Sequence, residues 1–280
     1  MRYIEIKAPA KINIGLKVIS KRRDGYHNLS TLFYPINDLY DVLKFELAEN
    51  FSFQCDNPNI PNDDNNLVVK AKNILEKETK KRINVKIELL KNIPSEAGLG
   101  GGSSDAAATL ISLNELYSLN FRYEKLLELA LDLGSDVPFF IKAKPAIGKS
   151  RGEILEQIDF EINKPILIVN PKIKISTKEA FSFVKSSNQE IEFNNFLTNH
   201  KNDFNSYKNI FENDFENYVF EKYPEIKIIK EKMYKNGALF SSMSGTGSTV
   251  YGIFPDVQKI KGLLEELPKN YFTFISTHEN

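Results

Sequence analysis

Between residues 83 and 117, a strand pattern, a glycine-rich loop and a helix pattern follow one another without interruption. The run INVKIELL alternates apolar and polar residues, the segment IPSEAGLGGGSS holds four glycines within five positions, and alanines and leucines follow at once. Glycines leave backbone N–H groups unscreened and allow positive φ, and the start of a helix carries partial positive charge. The segment therefore predicts an anion cradle, with a helix that begins at Ser103 or Ser104.

The remaining patterns of the first half combine strands and helices. The alternating runs YIEIKAPAKINIGLKVIS and VLKFEL predict strands within the first fifty residues, and LVVKAKNILEKET, residues 67–79, has apolar residues at helical spacing. YEKLLELALDLG predicts an amphipathic helix that Gly134 ends. This order of elements indicates a mixed α/β layer.

Beyond about residue 157 the pattern restarts, so we predict two domains, 1–157 and 158–280. PILIVNP, TVYGIF and NYFTFIS are typical of strands, whereas FENYVF and PEIKIIKEKMYKNG are typical of helices. The asparagine-rich segment 186–209 predicts a loop or an irregular pair of helices. The fold class that follows is α+β.

Charge and cysteine content restrict the partners of the chain. Lysine plus arginine and aspartate plus glutamate both number 37, so the chain lacks the field of a general nucleic-acid binder. The single cysteine, Cys55, excludes an intramolecular disulfide and suits a reducing compartment. No apolar run has the length of a signal peptide or of a membrane span. We expect a cytoplasmic protein that binds small molecules, without a nucleic-acid or membrane partner.

Two familiar phosphate-loop templates do not fit the glycine-rich loop. A Walker A loop has a lysine directly after its last glycine, and residues 98–104 contain no lysine. The dinucleotide fingerprint requires glycine at its sixth position, where this chain has Ser103. AKPAIGKS, residues 143–150, imitates the end of a Walker A loop but lacks its first glycine. The late segment SSMSGTGSTVYGIF predicts a hairpin or a hydroxyl-rich loop, which together with the first loop could close over a nucleotide.

Three stretches in this order, PAKINIGL, PSEAGLGGGSSDAA and SGTGSTVYGIF, resemble the motifs of the GHMP small-molecule kinases. The resemblance runs from about residue 7 to 254. It is closest to the family members that phosphorylate a cytidine diphosphate alcohol, because of the stretches DGYHNLSTLF and GSDVPFF. It implies a two-domain fold, with an N-terminal domain like ribosomal protein S5 domain 2 and a ferredoxin-like C-terminal domain. It also implies transfer of the ATP γ-phosphate to the 2-hydroxyl of 4-diphosphocytidyl-2-C-methyl-D-erythritol, with Mg²⁺.

The resemblance assigns catalytic roles to Lys11 and Asp136. Phosphoryl transfer requires a positioned nucleophile, stabilised negative charge and a carboxylate that receives the hydroxyl proton. Asp136 matches the general base and Lys11 the active-site lysine, and we expect the two to form an ion pair. By itself, Asp136 would be a turn or N-cap aspartate before Pro138, and Lys11 would be a solvent-facing lysine on a strand.

The remaining site residues follow from the same resemblance. ATP is expected at Pro94, Gly98, Leu99, Gly100, Gly101, Gly102, Ser103 and Ser104, and Mg²⁺ at a Ser103 or Ser104 hydroxyl, although no firm metal ligand emerges. The alcohol substrate is expected at Asn13, Tyr26, His27 and Phe181, where the tyrosine and the phenylalanine would sandwich the cytosine and the histidine would read its edge. Without the resemblance, Asn13 would be an exposed polar strand residue, His27 a structural histidine and Phe181 a core residue.

Two residues depart from the pattern of the family, and two other functions stay open. Gly148 stands where alanine is common and Ser150 where glycine is common, which places the local loop geometry in doubt. The alternatives are a GHMP kinase that acts on homoserine or a mevalonate derivative, and a catalytically silent nucleotide sensor. For the assembly we expect a monomer or a weak homodimer.

Overall fold

The computed structural model describes residues 3–277 of the chain, which form two compact units. Unit 1 contains the described residues up to Ala10, together with Leu39–Ser95 and Gly100–Ala143. Unit 2 contains Lys11–Asp38, Glu96–Leu99 and the described residues from Lys144 onward. Because the units interleave along the sequence, they are not equivalent to a division at residue 157, and that division stays a prediction.

Two long strands pass through both units, and all other elements belong to one unit. The long strands are β1 (Tyr3–Lys21) and β2 (His27–Leu47). Unit 1 adds β3 (Ser52–Cys55), α1 (Leu67–Thr79), β4 (Val85–Leu90), α2 (Gly101–Leu116), α3 (Tyr123–Leu133) and α4 (Val137–Phe140). Unit 2 adds β5 (Ala146–Ser150), β6 (Ile154–Gln157), β7 (Ile166–Asn170), α5 (Thr177–Phe183), α6 (Phe193–His200), α7 (Phe204–Tyr207), α8 (Phe215–Lys222), α9 (Pro224–Lys235), β8 (Phe240–Met243), β9 (Val250–Ile253), α10 (Val257–Glu266) and β10 (Phe272–Ser276).

In unit 1, helices pack beside a small sheet. The C-terminal part of β2 pairs antiparallel with β4, which pairs in parallel with β3, and β1 also pairs with β2. Alternate residues of β4 are buried, as period-two patterning requires. Helices α1 and α2 pack on each other and bury Leu75, Leu110 and Leu113 completely. Each such side chain contributes about 1.5–3 kcal/mol by leaving water.

The predicted helix over residues 67–79 is confirmed, and the predicted start of α2 is wrong. Asn66 caps α1, because its side chain accepts a hydrogen bond from the N–H of Val68. Gly134 ends α3, as predicted. Helix α2 begins at Gly101, ahead of the predicted serines, because Gly100 adopts a left-handed N-cap conformation with φ 73° and no side-chain cap. Here the glycine backbone, and not a serine hydroxyl, sets the helix start.

Unit 2 contains an antiparallel four-stranded sheet with the order β10-β7-β9-β8. If the four strands are numbered 1 to 4 in chain order, their order across the sheet is 4-1-3-2, which is the ferredoxin-like arrangement. Helices connect β7 to β8 and β9 to β10. The apolar core includes Val169, Val219, Met233, Val250 and Ile260, all buried. The strands and helices predicted for this part are confirmed, and 186–209 does contain the short helices α6 and α7.

The Walker-like segment 143–150 is not a phosphate loop. Its last five residues form β5, in which Gly148 pairs with Thr31 of β2 and with Leu155 of β6. The sequence did not predict the β5–β6 hairpin, because this region is rich in turn-forming residues. The same hairpin explains why glycine stands at 148, because a Cβ there would lie 2.5 Å from the Phe33 ring. No helix in residues 3–277 is long and apolar enough to cross a bilayer.

Candidate active site

The glycine-rich loop is divided between the units: the segment Glu96–Leu99 belongs to unit 2, and the unit 1 segment Gly100–Ala143 begins at the next residue. In unit 1, α2 opens with Gly101 and Gly102, directly after the left-handed Gly100. The N–H groups of a first helical turn have no partner within the helix, and the helix dipole adds positive charge there. The start of α2 therefore has the geometry of an anion site.

The side chain of Ser104 faces inward from the first turn of α2. The residue is 1% exposed, and its Oγ atom has no hydrogen-bond partner among the described residues. Buried hydroxyls are normally hydrogen-bonded, so an unpartnered one is notable. This hydroxyl can serve as a ligand for a phosphate oxygen or for a hydrated cation.

A buried ion cluster that the sequence reading missed lies under the start of α2. The Nζ atom of Lys91 binds the carboxylates of Asp41 and Asp105, the latter at 2.8 Å. Asp41 also accepts the backbone N–H groups of Asn92 and Ile93, at 2.6 and 2.8 Å. Lys91 directly follows a strand and resembles any exposed lysine, so no sequence signal separates it from the others.

The charges of this cluster are unequal, since two carboxylates face one ammonium. Burial and the neighbouring Asp41 outweigh the attraction of Lys91 and raise the pKa of Asp105 to about 7. Burial acts against the charged form of Lys91, but the two carboxylates raise its pKa overall. A Cβ at Gly101 would lie 3.3 Å from the Lys91 Nζ atom, so the cluster lies directly beside the first residue of α2.

Asp136, the predicted base, is the N-cap residue of α4, which packs against α2. Its position directly before the helix, with Pro138 in the first turn, is the one expected from the sequence alone. Its side chain, however, makes no capping hydrogen bond to the helix.

In unit 2, Lys11 and Asn13 share one face of β1, and the strand spacing predicted this. The Nζ atom of Lys11 donates to Asn13 Oδ1 at 2.6 Å, and Asn13 Nδ2 donates to Thr31 Oγ1 at 3.0 Å. Thr31 in turn donates to the carbonyl oxygen of Gly15 at 2.6 Å. Lys11 and Asn13 are each 3% exposed. The alternative that they are solvent-facing strand residues is therefore wrong.

The two glycine-rich loops meet at the carbonyl oxygen of Gly98. This oxygen accepts hydrogen bonds from Lys11 Nζ at 3.0 Å and from Ser244 Oγ at 2.8 Å. The backbone N–H of Thr249, at the other end of the late loop, donates to the carbonyl oxygen of Ala97 at 3.3 Å. The late loop is thus a hairpin connection between β8 and β9 that packs on residues 97–98.

Two buried asparagines hold the late loop, and the sequence reading did not single them out. Asn170, at the end of β7, donates to the hydroxyls of Ser248 and Thr249 at 3.2 and 3.0 Å. Asn213 donates to the carbonyl oxygens of Met243 and Gly245, both at 2.8 Å. Buried polar side chains of this kind fix a loop conformation through several bonds each.

The predicted side chains Tyr26, His27 and Phe181 make ring contacts in two places. His27 stacks on Phe181, with the ring centroids 4.9 Å apart, and Phe181 also meets Phe215 edge-on at 4.8 Å. Tyr26 stacks on the guanidinium of Arg151, whose Cζ atom lies 4.4 Å from the ring centroid. Burial, together with the charge of Lys21, lowers the pKa of His27, so its ring is neutral at pH 7. A neutral imidazole can both donate and accept a hydrogen bond.

The structure thus groups the predicted residues by unit. Unit 1 holds Pro94, the loop from Gly100 to Ser104 and Asp136. Unit 2 brings together Lys11, Asn13 and Gly98, and separately His27 and Phe181. The ion pair between Lys11 and Asp136 and the aromatic sandwich of Tyr26 and Phe181 stay predictions.

Comparison with known proteins finds two family models in this chain. The model described as the GHMP kinases N terminal domain matches residues 66–144, and the GHMP kinases C terminal model matches residues 190–273. Together they span more than half of the sequence. The first contains the glycine-rich loop, and the second contains the late loop between β8 and β9.

Curated relatives match almost the whole chain. A 4-diphosphocytidyl-2-C-methyl-D-erythritol kinase of Caldanaerobacter subterraneus subsp. tengcongensis is 40% identical over 278 residues, which cover 98% of this chain and 95% of the relative. The protein of the same name from Thermoanaerobacter pseudethanolicus is 40% identical over 291 residues, covering 99% and 96%.

Solved structures give the same grouping. A crystal structure of 4-(cytidine 5'-diphospho)-2C-methyl-D-erythritol kinase has a TM-score of 0.81 at 30% identity, covering 97% of this chain and 98% of its own. A homoserine kinase from Cytophaga hutchinsonii has a TM-score of 0.70 at 17% identity, covering 99% and 95%, and shares the fold. The chain belongs to the GHMP kinase family, and within it closely resembles the 4-diphosphocytidyl-2-C-methyl-D-erythritol kinases.

Proposed function

We propose that this chain is an ATP-dependent kinase that phosphorylates the 2-hydroxyl of 4-diphosphocytidyl-2-C-methyl-D-erythritol. The observation that carries the proposal is the buried Lys11, which reaches from the first strand to the carbonyl oxygen of Gly98 in the glycine-rich loop. A lysine at this loop is what Walker A loops supply from within their own sequence. The names of the relatives at 40% identity support the substrate.

The phosphate end of the site consists of the residues at the start of α2. Residues 98–104 would wrap the ATP phosphates, with the N–H groups of the first helical turn aimed at them. Pro94 and Leu99 flank this cradle. Backbone donors suit a transferred phosphoryl group, because they require no reorganisation when negative charge spreads over its oxygens.

Asp136 is the proposed base, and Lys11 its proposed partner. The 2-hydroxyl oxygen attacks the γ-phosphorus, the bond to the bridging oxygen breaks to release ADP, and the hydroxyl proton passes to the Asp136 carboxylate. A lysine ammonium beside the base favours its ionised form. Asn13, held by Lys11 and Thr31, is the proposed contact for the methylerythritol end.

Membership of a kinase family implies ATP, and we propose Mg²⁺ as its accompanying ion. The buried, unpartnered hydroxyl of Ser104 fits such an ion or its water shell, and the half-buried Ser103 is the second candidate. Mg²⁺ retains several waters and binds largely through substrate phosphates. When bound, it would neutralise charge on the transferred phosphoryl group.

The base of the substrate is proposed to bind at Tyr26, His27 and Phe181. Stacking of a base on an aromatic ring contributes about 1–3 kcal/mol and does not distinguish bases well. Discrimination would therefore rest on hydrogen bonds to His27, whose neutral ring offers a donor and an acceptor.

The expected cytoplasmic location and a monomer or weak homodimer belong to the same proposal. Light scattering coupled to gel filtration tests the oligomeric state.

One experiment separates this proposal from its alternatives. The purified protein is incubated with Mg-ATP and, in separate reactions, with the cytidylyl substrate, homoserine, mevalonate or phosphomevalonate, and ADP is measured. We expect ADP above background with the cytidylyl substrate alone. ADP formation with homoserine or a mevalonate compound only would identify another GHMP kinase, and none with any alcohol would leave the nucleotide sensor.

A further inference from the structure

Arg151 covers one face of the Tyr26 ring, while much of Tyr26 stays open. The Arg151 Cζ atom lies 4.4 Å from the centroid of the ring, within the distance of a cation–π contact. Tyr26 is nevertheless 51% exposed. An aromatic ring that is supported from one side and open on the other has the form of a stacking platform.

Arg151 is held in place by the turn that joins β5 to β6. Its backbone N–H donates to Glu153 Oε2 at 2.7 Å, and its Nε atom lies 4.0 Å from Glu153 Oε1. The Ser150 hydroxyl donates to the same Oε1 atom at 2.9 Å. Glu153 therefore fixes the backbone of Arg151 and places a carboxylate within ion-pair distance of its guanidinium.

The Tyr26 side of the contact is anchored to the same turn. Arg22 Nη1 donates to Ser150 Oγ at 2.6 Å, and the Arg22 backbone N–H donates to the Tyr26 carbonyl oxygen at 2.8 Å. The Tyr26 N–H donates to Asp24 Oδ1 at 3.1 Å, and Asp24 also forms an ion pair with Arg22. The two turns thus form one network, with Arg22 at its centre.

Ser150 links the two turns through its side chain, although its backbone conformation is unfavourable for serine. Its φ of 61° is left-handed, a conformation that favours glycine, and glycine is the residue expected at this place from the family pattern. The serine side chain offsets the cost of this conformation by joining Arg22 to Glu153. A glycine at 150 would fit the backbone better but would remove this link.

We infer that Arg151 is a specificity-determining positioning residue, which fixes the Tyr26 ring as the platform for the pyrimidine of the substrate. The inference rests on the proposed function, because it takes Tyr26 as part of the base site. Arg151 acts through the ring: it limits the rotation of Tyr26 and lets the base stack without first ordering the side chain. Its loss should weaken binding of the cytidylyl group about 2- to 30-fold and leave ATP binding unchanged.

The test uses the full-length protein and three variants. Arg151→Ala removes the cation and the stacked plane, Arg151→Lys keeps the charge without the plane, and Arg23→Ala is the matched control. Arg23 is exposed in the same turn as Tyr26, and its side chain makes no hydrogen bond or ion pair to any residue in 3–277. The readouts are the dissociation constant of cytidine 5′-diphosphate by calorimetry, the KM of each substrate, and kcat.

The expected result is a weaker cytidine 5′-diphosphate affinity and a higher KM for the cytidylyl substrate in Arg151→Ala. Arg151→Lys should fall between this variant and the wild type, and Arg23→Ala should match the wild type. The KM for ATP, and kcat at saturation, should be unchanged in all three. An equal loss in Arg23→Ala would instead assign the effect to general attraction of an anionic ligand, and would overturn the inference.

A double-mutant cycle tests whether Arg151 acts through Tyr26. In a Tyr26→Leu background, Arg151→Ala should add less than a twofold further loss. Full additivity, or an unchanged affinity in Arg151→Ala alone, would overturn the inference and leave the proposed function intact. If the wild type itself neither binds cytidine 5′-diphosphate nor turns over the cytidylyl substrate, the proposed function fails with it. Glu153→Gln removes the negative charge beside the Arg151 guanidinium and retains Arg151 itself. It should lower the affinity for cytidine 5′-diphosphate by less than Arg151→Ala does.

Discussion

Ser244 donates a 2.8 Å hydrogen bond from its hydroxyl to the carbonyl oxygen of Gly98, which also accepts a bond from Lys11. The two backbones also lie close together, since a Cβ atom at Gly98 would be only 2.1 Å from the Ser244 carbonyl oxygen. Gly98 also has a left-handed φ of 78°. Two independent constraints therefore demand glycine here, and both can be tested by one substitution.

We expect Gly98→Ala to raise the KM for ATP about 10- to 100-fold. The added methyl group must displace the late loop, at a cost of about 1–3 kcal/mol, and the left-handed conformation adds about 1–2 kcal/mol. Steady-state kinetics against ATP and a thermal unfolding curve measure the two effects.

Gly25→Ala is the matched control for Gly98→Ala. Gly25 has a φ of 87°, but nothing lies within 4 Å of a Cβ placed there. It should therefore lower the melting temperature through backbone strain alone and leave the KM for ATP near the wild-type value. If both variants raised the KM for ATP equally, the contact with Ser244 would have no special role.

Most of the secondary structure could be predicted because its signals are local. Helix α1 coincides with its periodic segment, and α3 ends at Gly134 as the glycine indicates. The shared face of Lys11 and Asn13 follows from the two-residue period of a strand. Each of these features depends on residues that are neighbours in sequence, and no distant contact overrides them.

The features that escaped prediction depend on distant partners. The cluster of Asp41, Lys91 and Asp105 joins residues from a strand, a loop and a helix, and each looks like a surface charge in its own segment. Likewise, Asn170 becomes a loop anchor only because β7 lies beside β9. Local patterns carry no information about which buried charge meets which, so only tertiary structure reveals these groups.

Asp136→Asn should retain ATP binding and lose turnover. A positioned general base contributes about 10²- to 10⁴-fold to the rate, so kcat should fall within that range. Asparagine has nearly the shape of aspartate, so we expect the variant to stay folded. Calorimetric ATP binding, rapid-quench turnover and thermal unfolding measure the three expectations, and an unchanged kcat would remove Asp136 from the role of base.

Gly148→Ala should destabilise the protein by about 1–3 kcal/mol, because the new methyl group would meet the buried Phe33 ring at 2.5 Å. Phe33→Leu creates space at the same place and should relieve the clash. The double variant should therefore be at least about 1 kcal/mol more stable than the sum of the single effects predicts. Denaturant unfolding of the four proteins measures this coupling, and simple additivity would contradict the packing explanation for Gly148.

The buried cluster under α2 makes stability depend on pH in a definite direction. Asp105 has a pKa of about 7 in the folded protein, which lies above the value of an unfolded aspartate. Its contribution to stability is therefore fully present below about pH 4 and is lost as the pH rises towards 7. Asp105→Asn removes the surplus negative charge and leaves Lys91 paired with Asp41.

We expect the wild type to lose stability relative to Asp105→Asn between pH 5 and 7, by up to about 1.4 kcal/mol per pH unit, and the difference to level off above pH 7. Denaturant unfolding of both proteins at half-unit pH steps measures this difference, and it cancels the titration of all other groups that the two chains share. Asp41→Ala is the informative contrast, because it removes the oxygen that accepts the N–H groups of Asn92 and Ile93 together with a carboxylate partner of Lys91, and it should destabilise at every pH. A difference between wild type and Asp105→Asn that stays constant from pH 5 to 8 would mean that Asp105 is ionised throughout, with Lys91 alone balancing both carboxylates.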